Sequence, residues 1–246
     1  MTNALPPLYS TWASFTLPIQ RAALYPAVYG SFFSNNDNYS RAEEIDKDIC
    51  KYCADVCRAI EVLEGENWTF KEETTSPYSA EVFYLFYLRD RVNGRFAHLN
   101  ARFADARSRE LCVLLATKIV EYILFMDNYI AAIPASLAMR LQIILDGHDL
   151  NIVWQGWEDV LMWIVFVLTC MPNDWPGREW SIELGRRMLR HMDSSKKDEM
   201  QETCKELVLN QLKRFVWSMR FDEDFLIACT DLNLFDKKNW GSSYVQ

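Results

Sequence analysis

Residues 160–171, "VLMWIVFVLTCM", form a twelve-residue run in which only Thr169 is polar, and this run constrains the fold more than any other stretch. A membrane-spanning helix needs about 20 such residues, so the run reads as a helix buried in a protein core. A helix that is apolar all round has to be covered on every side. The rest of the chain therefore has to supply the cover. Amphipathic helices do so here, and no segment shows sustained strand alternation between turn signals.

The clearest amphipathic pattern is "DICKYCADVCRAIEVL", residues 48–63. At about 100° per residue, Cys50, Cys57, Cys53, Ile60, Ile49, Val56, Ile45 and Leu63 share one arc of about 140°. Glu61, Lys47, Arg58, Lys51, Asp55 and Asp48 fall opposite. Cys50, Cys53 and Cys57, three cysteines in eight positions, are the stretch most like a metal site. They lie on the apolar stripe, where a free cysteine packs as a small hydrophobe. A zinc site commonly draws four ligands from separated pairs, and Cys112, Cys170, Cys204 and Cys229 are each solitary. The expectation is packing, with no metal and no cofactor.

Further helices are expected from about Ala80, over 104–127, from Pro134 through Leu141 and Leu145 to a break at Gly147, and from about Trp154 to Cys170. "MPNDWPG" at 171–177 is a breaker, and a helix over about 178–192 follows it. The stripe Met200, Cys204, Leu207, Val208, Leu212, Phe215, Val216, Met219 predicts a last helix over roughly 198–218. Its apolar face is expected against the helix of 157–170, with Lys213 on the opposite face. The expected fold is all-α, a multi-helical globular domain with an aromatic-rich core. It divides into a proline- and aromatic-rich arm (1–39), a helical body (40–231) and a tail (232–246).

Twenty-six Lys and Arg against thirty-four Asp and Glu leave a net charge of −8. That charge opposes gripping polyphosphate, because nucleic-acid affinity rests largely on neutralised phosphates. No secretory leader is visible in "MTNALPPLYSTW", and the odd cysteine number suits a reducing compartment. An intracellular chain, nuclear or cytoplasmic and without a membrane span, is expected.

Catalytic motifs are missing: no GxSxG, P-loop or GxGxxG occurs, and His98, His148 and His191 are isolated. The acidic groups Glu158-Asp159 and Asp222-Glu223-Asp224 raise isoprenoid-synthase chemistry, which would need carboxylates on two facing helices to hold magnesium. "FDEDF" has no second motif of that type, and an acidic helix start that complements the dipole explains it as well.

"WEDVLMWIVFVLTCMPNDWPGREW" (157–180), with "CKELVLNQLKRFVW" (204–217), resembles the C-terminal part of the fungal-specific transcription factor domain. That domain is the helical regulatory region of fungal zinc-cluster regulators. Leu161, Trp163 and Phe166 match its aromatic helix, Arg178 and Trp180 its R-x-W pattern, and Leu212, Lys213, Phe215 and Trp217 its L-K-x-F-x-W ending. The likeness covers roughly 135–231. Where the family often has glycines after the aromatic helix, this chain has Leu168-Thr169-Cys170, and Ser181 follows Trp180.

The family reads DNA through six cysteines holding two zincs, and Cys50, Cys53 and Cys57 do not reproduce that spacing. The resemblance therefore implies the regulatory half alone: a non-enzymatic, transcription-regulator-like protein with no direct DNA binding of its own. It would work through partners in the transcription machinery, self-association or a small apolar effector. The alternative is a helical enzyme or small-molecule-binding protein of secondary metabolism.

Overall fold

The computed structural model describes residues 45–65, 80–104, 108–125, 132–171, 175–193, 212–218, 227–228 and 230–232. The arm at 1–39, the acidic run at 222–224, and Cys204 and Cys229 lie outside them. Among the described residues the structure is helical, with no strand. The helices are α1 (Lys47–Gly65), α2 (Ala80–Arg102), α3 (Arg109–Phe125), α4 (Ala132–Asp146), α5 (Leu150–Val153), α6 (Glu158–Thr169) and α7 (Arg178–Asp193).

Helix α3 is the centre. Helices α1, α2, α4 and α6 all pack on it, and every residue from Leu111 to Glu121 is buried. Ser108 starts it, taking the Leu111 N–H on its hydroxyl at 3.3 Å and the Cys112 N–H on its carbonyl at 3.2 Å, which is how a serine caps a helix. Helices α1 and α2 run antiparallel. Arg102, at the end of α2, bridges Asp46 (2.7 Å) and Asp48 (3.2 Å) at the start of α1. Deeper along the seam, Arg91 and Arg95 reach Asp55. Asp46 also caps α1, accepting the Asp48 N–H at 2.8 Å.

The apolar run behaves as its composition demands. Residues Val160 to Thr169 of α6 are all buried. Helix α7 lies along one side of α6 and α3 along another. The helix expected from Trp154 instead begins at Glu158. Gly156, at φ 77°, interrupts the chain after the short α5, and its N–H donates to Glu158 Oε1 at 2.9 Å. A left-handed φ suits glycine because it has no Cβ, and Gly156 provides it within the four-residue link from α5 to α6.

Two further expectations change. The helix predicted over 198–218 does not extend through its last residues: only Leu212 of 212–218 is helical. The Phe215 N–H closes a turn onto the Leu212 carbonyl at 3.1 Å, and residues 216–218 beyond it are not helical. The core also differs in kind. One continuous cluster of buried side chains joins the described helices, and most of them are aliphatic. Rings meet in pairs, Tyr52 with Phe96 at 6.1 Å and Trp163 with Phe215 at 5.8 Å, and no aromatic cluster forms among the described residues. Nor is any described helix long and apolar enough to cross a membrane.

Candidate functional site

The three cysteines of α1 are buried in the stripe. Cys53 Sγ lies 3.3 Å from Thr117 Oγ1 on α3. Burial pushes the Cys53 thiol well above its ordinary range and raises Cys50 to about 11. Metal ligation and nucleophilic attack both use the thiolate, and this setting opposes it. Among the described residues no three His, Cys, Asp or Glu side chains gather as a metal site requires.

The densest chemistry lies where α1, α2 and α3 meet. Lys118 Nζ donates to Glu121 Oε1 at 2.6 Å and to Asn93 Oδ1. The Tyr52 hydroxyl donates to Glu121 Oε2 at 3.0 Å. The Lys118 ammonium also sits 5.1 Å from the Phe96 ring and 4.8 Å from the Tyr122 ring, a cation–π arrangement. Lys118 and Glu121 expose only 3% and 5% of their side chains. Burial lowers the lysine's pKa against the opposing pull of Glu121. It raises the pKa of Glu121 against the pull of Lys118, and that of Tyr52 well above the usual phenol value.

Perturbed groups of this kind mark catalytic sites and structural ion pairs alike. Each of the polar atoms named here is held by another protein atom, so the network joins three helices. Sequence reading missed it because it followed only the apolar stripe of α3. Lys118 and Glu121 are the only charges within "LCVLLATKIVEYILF", three residues apart on an otherwise apolar helix, and that was the available signal.

Asp55 was expected on the solvent face and is instead buried. Arg95, Arg91 at 3.4 Å and Arg58 at 3.8 Å surround it. The arginines of α2 cover what the α1 pattern alone left open.

The matched motif residues fall into one seam in part. Leu161, Trp163 and Phe166 are buried on α6, as are Leu212, Phe215 and Trp217 beyond it. The Trp163 indole N–H donates to the Val216 carbonyl at 3.0 Å, and its ring meets Phe215. Lys213 is half-buried rather than out in solvent. Arg178 binds Asp231 at 2.6 Å, while Arg186 donates to the Asp231 carbonyl. The Trp180 indole turns away to Asp146 at the end of α4, at 2.7 Å. Glu158 and Asp159 stand in the first turn of α6, where their carboxylates accept nearby backbone N–H groups. His98 is exposed and His148 half-buried.

No protein-family model, curated protein or solved structure matches the chain.

Proposed function

We propose that this chain is a non-catalytic helical regulator, similar to the regulatory half of a fungal zinc-cluster transcription factor, that acts by docking other proteins. One observation carries the reading. The aromatic helix and the L-K-x-F-x-W segment, which bear the resemblance and stand some fifty residues apart, meet through the Trp163–Val216 hydrogen bond and the Trp163–Phe215 ring contact. Motif residues that hold one another in place are what a packing motif requires. On this reading the chain works inside the cell, in nucleus or cytoplasm. It meets partners of the transcription machinery or a small apolar effector, and it does not contact DNA by itself, in keeping with its charge of −8.

The test is to join the chain to an unrelated DNA-binding domain and read a reporter gene carrying that domain's site. The fusion should change reporter output several-fold, and Trp163→Ala should abolish the change. A folded fusion that occupies the site and leaves the reporter unmoved would refute the proposal. The alternative, a helical enzyme or small-molecule-binding protein, draws on the perturbed Lys118, Glu121 and Tyr52. It would be favoured instead if a small molecule raised the melting temperature of the parent and not of a Glu121→Gln variant.

A further inference from the structure

Helix α4 turns one face to solvent, and that face is built like the seam of a coiled coil. Its exposed residues are Ala132, Ile133, Ser136, Met139, Ile143 and Asp146. Five of them, 132, 136, 139, 143 and 146, follow the 4-3-4-3 spacing that keeps a stripe facing a partner helix. At about 100° per residue they share an arc of about 80°. Met139 is 52% exposed, Ile143 61% and Ile133, on the flank, 36%. The opposite face of the helix, with Pro134, Ala138, Leu141 and Leu145, is buried. Among the described residues the inner face is already packed, so the exposed Met139 and Ile143 are left for a partner outside them.

We propose that this face pairs with the same face of a second copy of the chain, the two α4 helices crossing antiparallel about a two-fold axis. Size and charge both single out this occupant. A two-fold axis between residues 137 and 138 sets Ala132 against the partner's Ile143 and Ser136 against the partner's Met139. The small half of the stripe thus receives the large half, twice over, as an isologous interface requires. No charged residue lies along the stripe before Asp146, which accepts the Trp180 indole N–H. On the flank, Arg140 is held by Asn100 at 2.7 Å and by the Ala104 carbonyl. It comes opposite the partner's Ile133, so no like charges meet.

A partner of strong charge would find nothing on this stripe to answer it. The exposed parts of the stripe and its flanks cover roughly 500 Å² per copy, hence on the order of 1,000 Å² for the pair, the lower bound of a specific interface. The pairing stands on the α4 face alone and does not depend on the regulatory reading.

Sedimentation equilibrium on the full chain between ~1 and ~200 μM tests it. A concentration-dependent monomer–dimer equilibrium is expected. Ile143→Glu should raise the dissociation constant at least ~100-fold, because each copy would bury an unpaired carboxylate against the partner's Ala132. Since Ile143 is largely exposed, that variant should melt with the parent, and Met139→Lys is a second, independent disruption. Orientation is read by mixing Ser136→Cys and Met139→Cys chains under mild oxidation. Antiparallel pairing links the two variants to each other, whereas each variant alone stays uncrosslinked at these positions. A chain that stays monomeric throughout, a dimer untouched by Ile143→Glu and Met139→Lys, or cross-linking of each variant with itself would overturn the proposal.

Discussion

Phe215 and Lys213 lie two residues apart and carry opposite expectations. The Phe215 ring is 1% exposed against Trp163, so Phe215→Ala should cost on the order of 3–5 kcal/mol. Lys213 is only half-buried, so Lys213→Ala should cost about 1 kcal/mol or less, well below Phe215→Ala, and urea melts of both variants check the order. The burial pattern of 212–217 was legible from the sequence although the helix assigned there was not. A turn at Phe215 leaves that ring inside while freeing the Val216 carbonyl for the Trp163 indole, a long-range bond no local pattern announces.

Lys118 and Glu121 give a sharper expectation. Breaking a buried pair from one side costs about 3–5 kcal/mol because the remaining charge is uncompensated. Lys118→Met should be that damaging, and adding Glu121→Gln should recover most of the loss. The pH dependence has a definite sign. Glu121 holds its proton more tightly folded than unfolded, so its contribution to stability is full below its ordinary value and is lost as pH rises through the raised one. Losing Lys118 raises that value further. The deficit of Lys118→Met should therefore be smaller at ~pH 5 than at ~pH 8 in urea titrations at both. A deficit that grows on acidification would contradict the assignment of Glu121 as the stranded charge.

At the scale of elements, α1 shows what periodicity reads and what it leaves out. The arc from Ile45 to Ile60 is buried as expected, with Ile49 at 0% and Cys50 at 6% exposure. Ile49→Ala should accordingly cost about 2–4 kcal/mol, while Cys50→Ala at the stripe's edge should cost little, by thermal melts. Yet Tyr52, Asp55 and Ala59, outside that arc, are buried too. A single helix pattern assumes one partner, and α1 has two, α2 and α3. The same limit hid the burial of α3 on all sides. The break between α5 and α6 belongs to this scale as well. A Cβ on Gly156 would meet nothing within 4 Å, so Gly156→Ala should cost about 1–2 kcal/mol through backbone strain alone. Differential scanning calorimetry should then show Gly156→Asn the milder change.

For the molecule as a whole, the negative charge and the buried thiols make two bulk expectations. Elemental analysis of the purified chain should find no stoichiometric zinc, and about one zinc per chain, lost in Cys53→Ser, would restore Cys50, Cys53 and Cys57 as ligands. A gel shift at ~150 mM salt should show no sequence-specific nanomolar complex, since few phosphates could be neutralised. Such a complex would remove the ground for the regulatory reading. The burial of Lys118 reaches further than its hydrogen bonds. Trypsin must draw several residues around a lysine into its cleft, and at Lys118 that segment is the middle of α3, under four other helices. Cleavage there has to wait until those helices part together, while lysines and arginines at the surface, such as the half-exposed Arg102, are open to nicking by local fraying. The rate at which the Lys118–Ile119 bond is cut thus serves as a built-in clock for opening of the whole helical assembly, read from a single band on a gel.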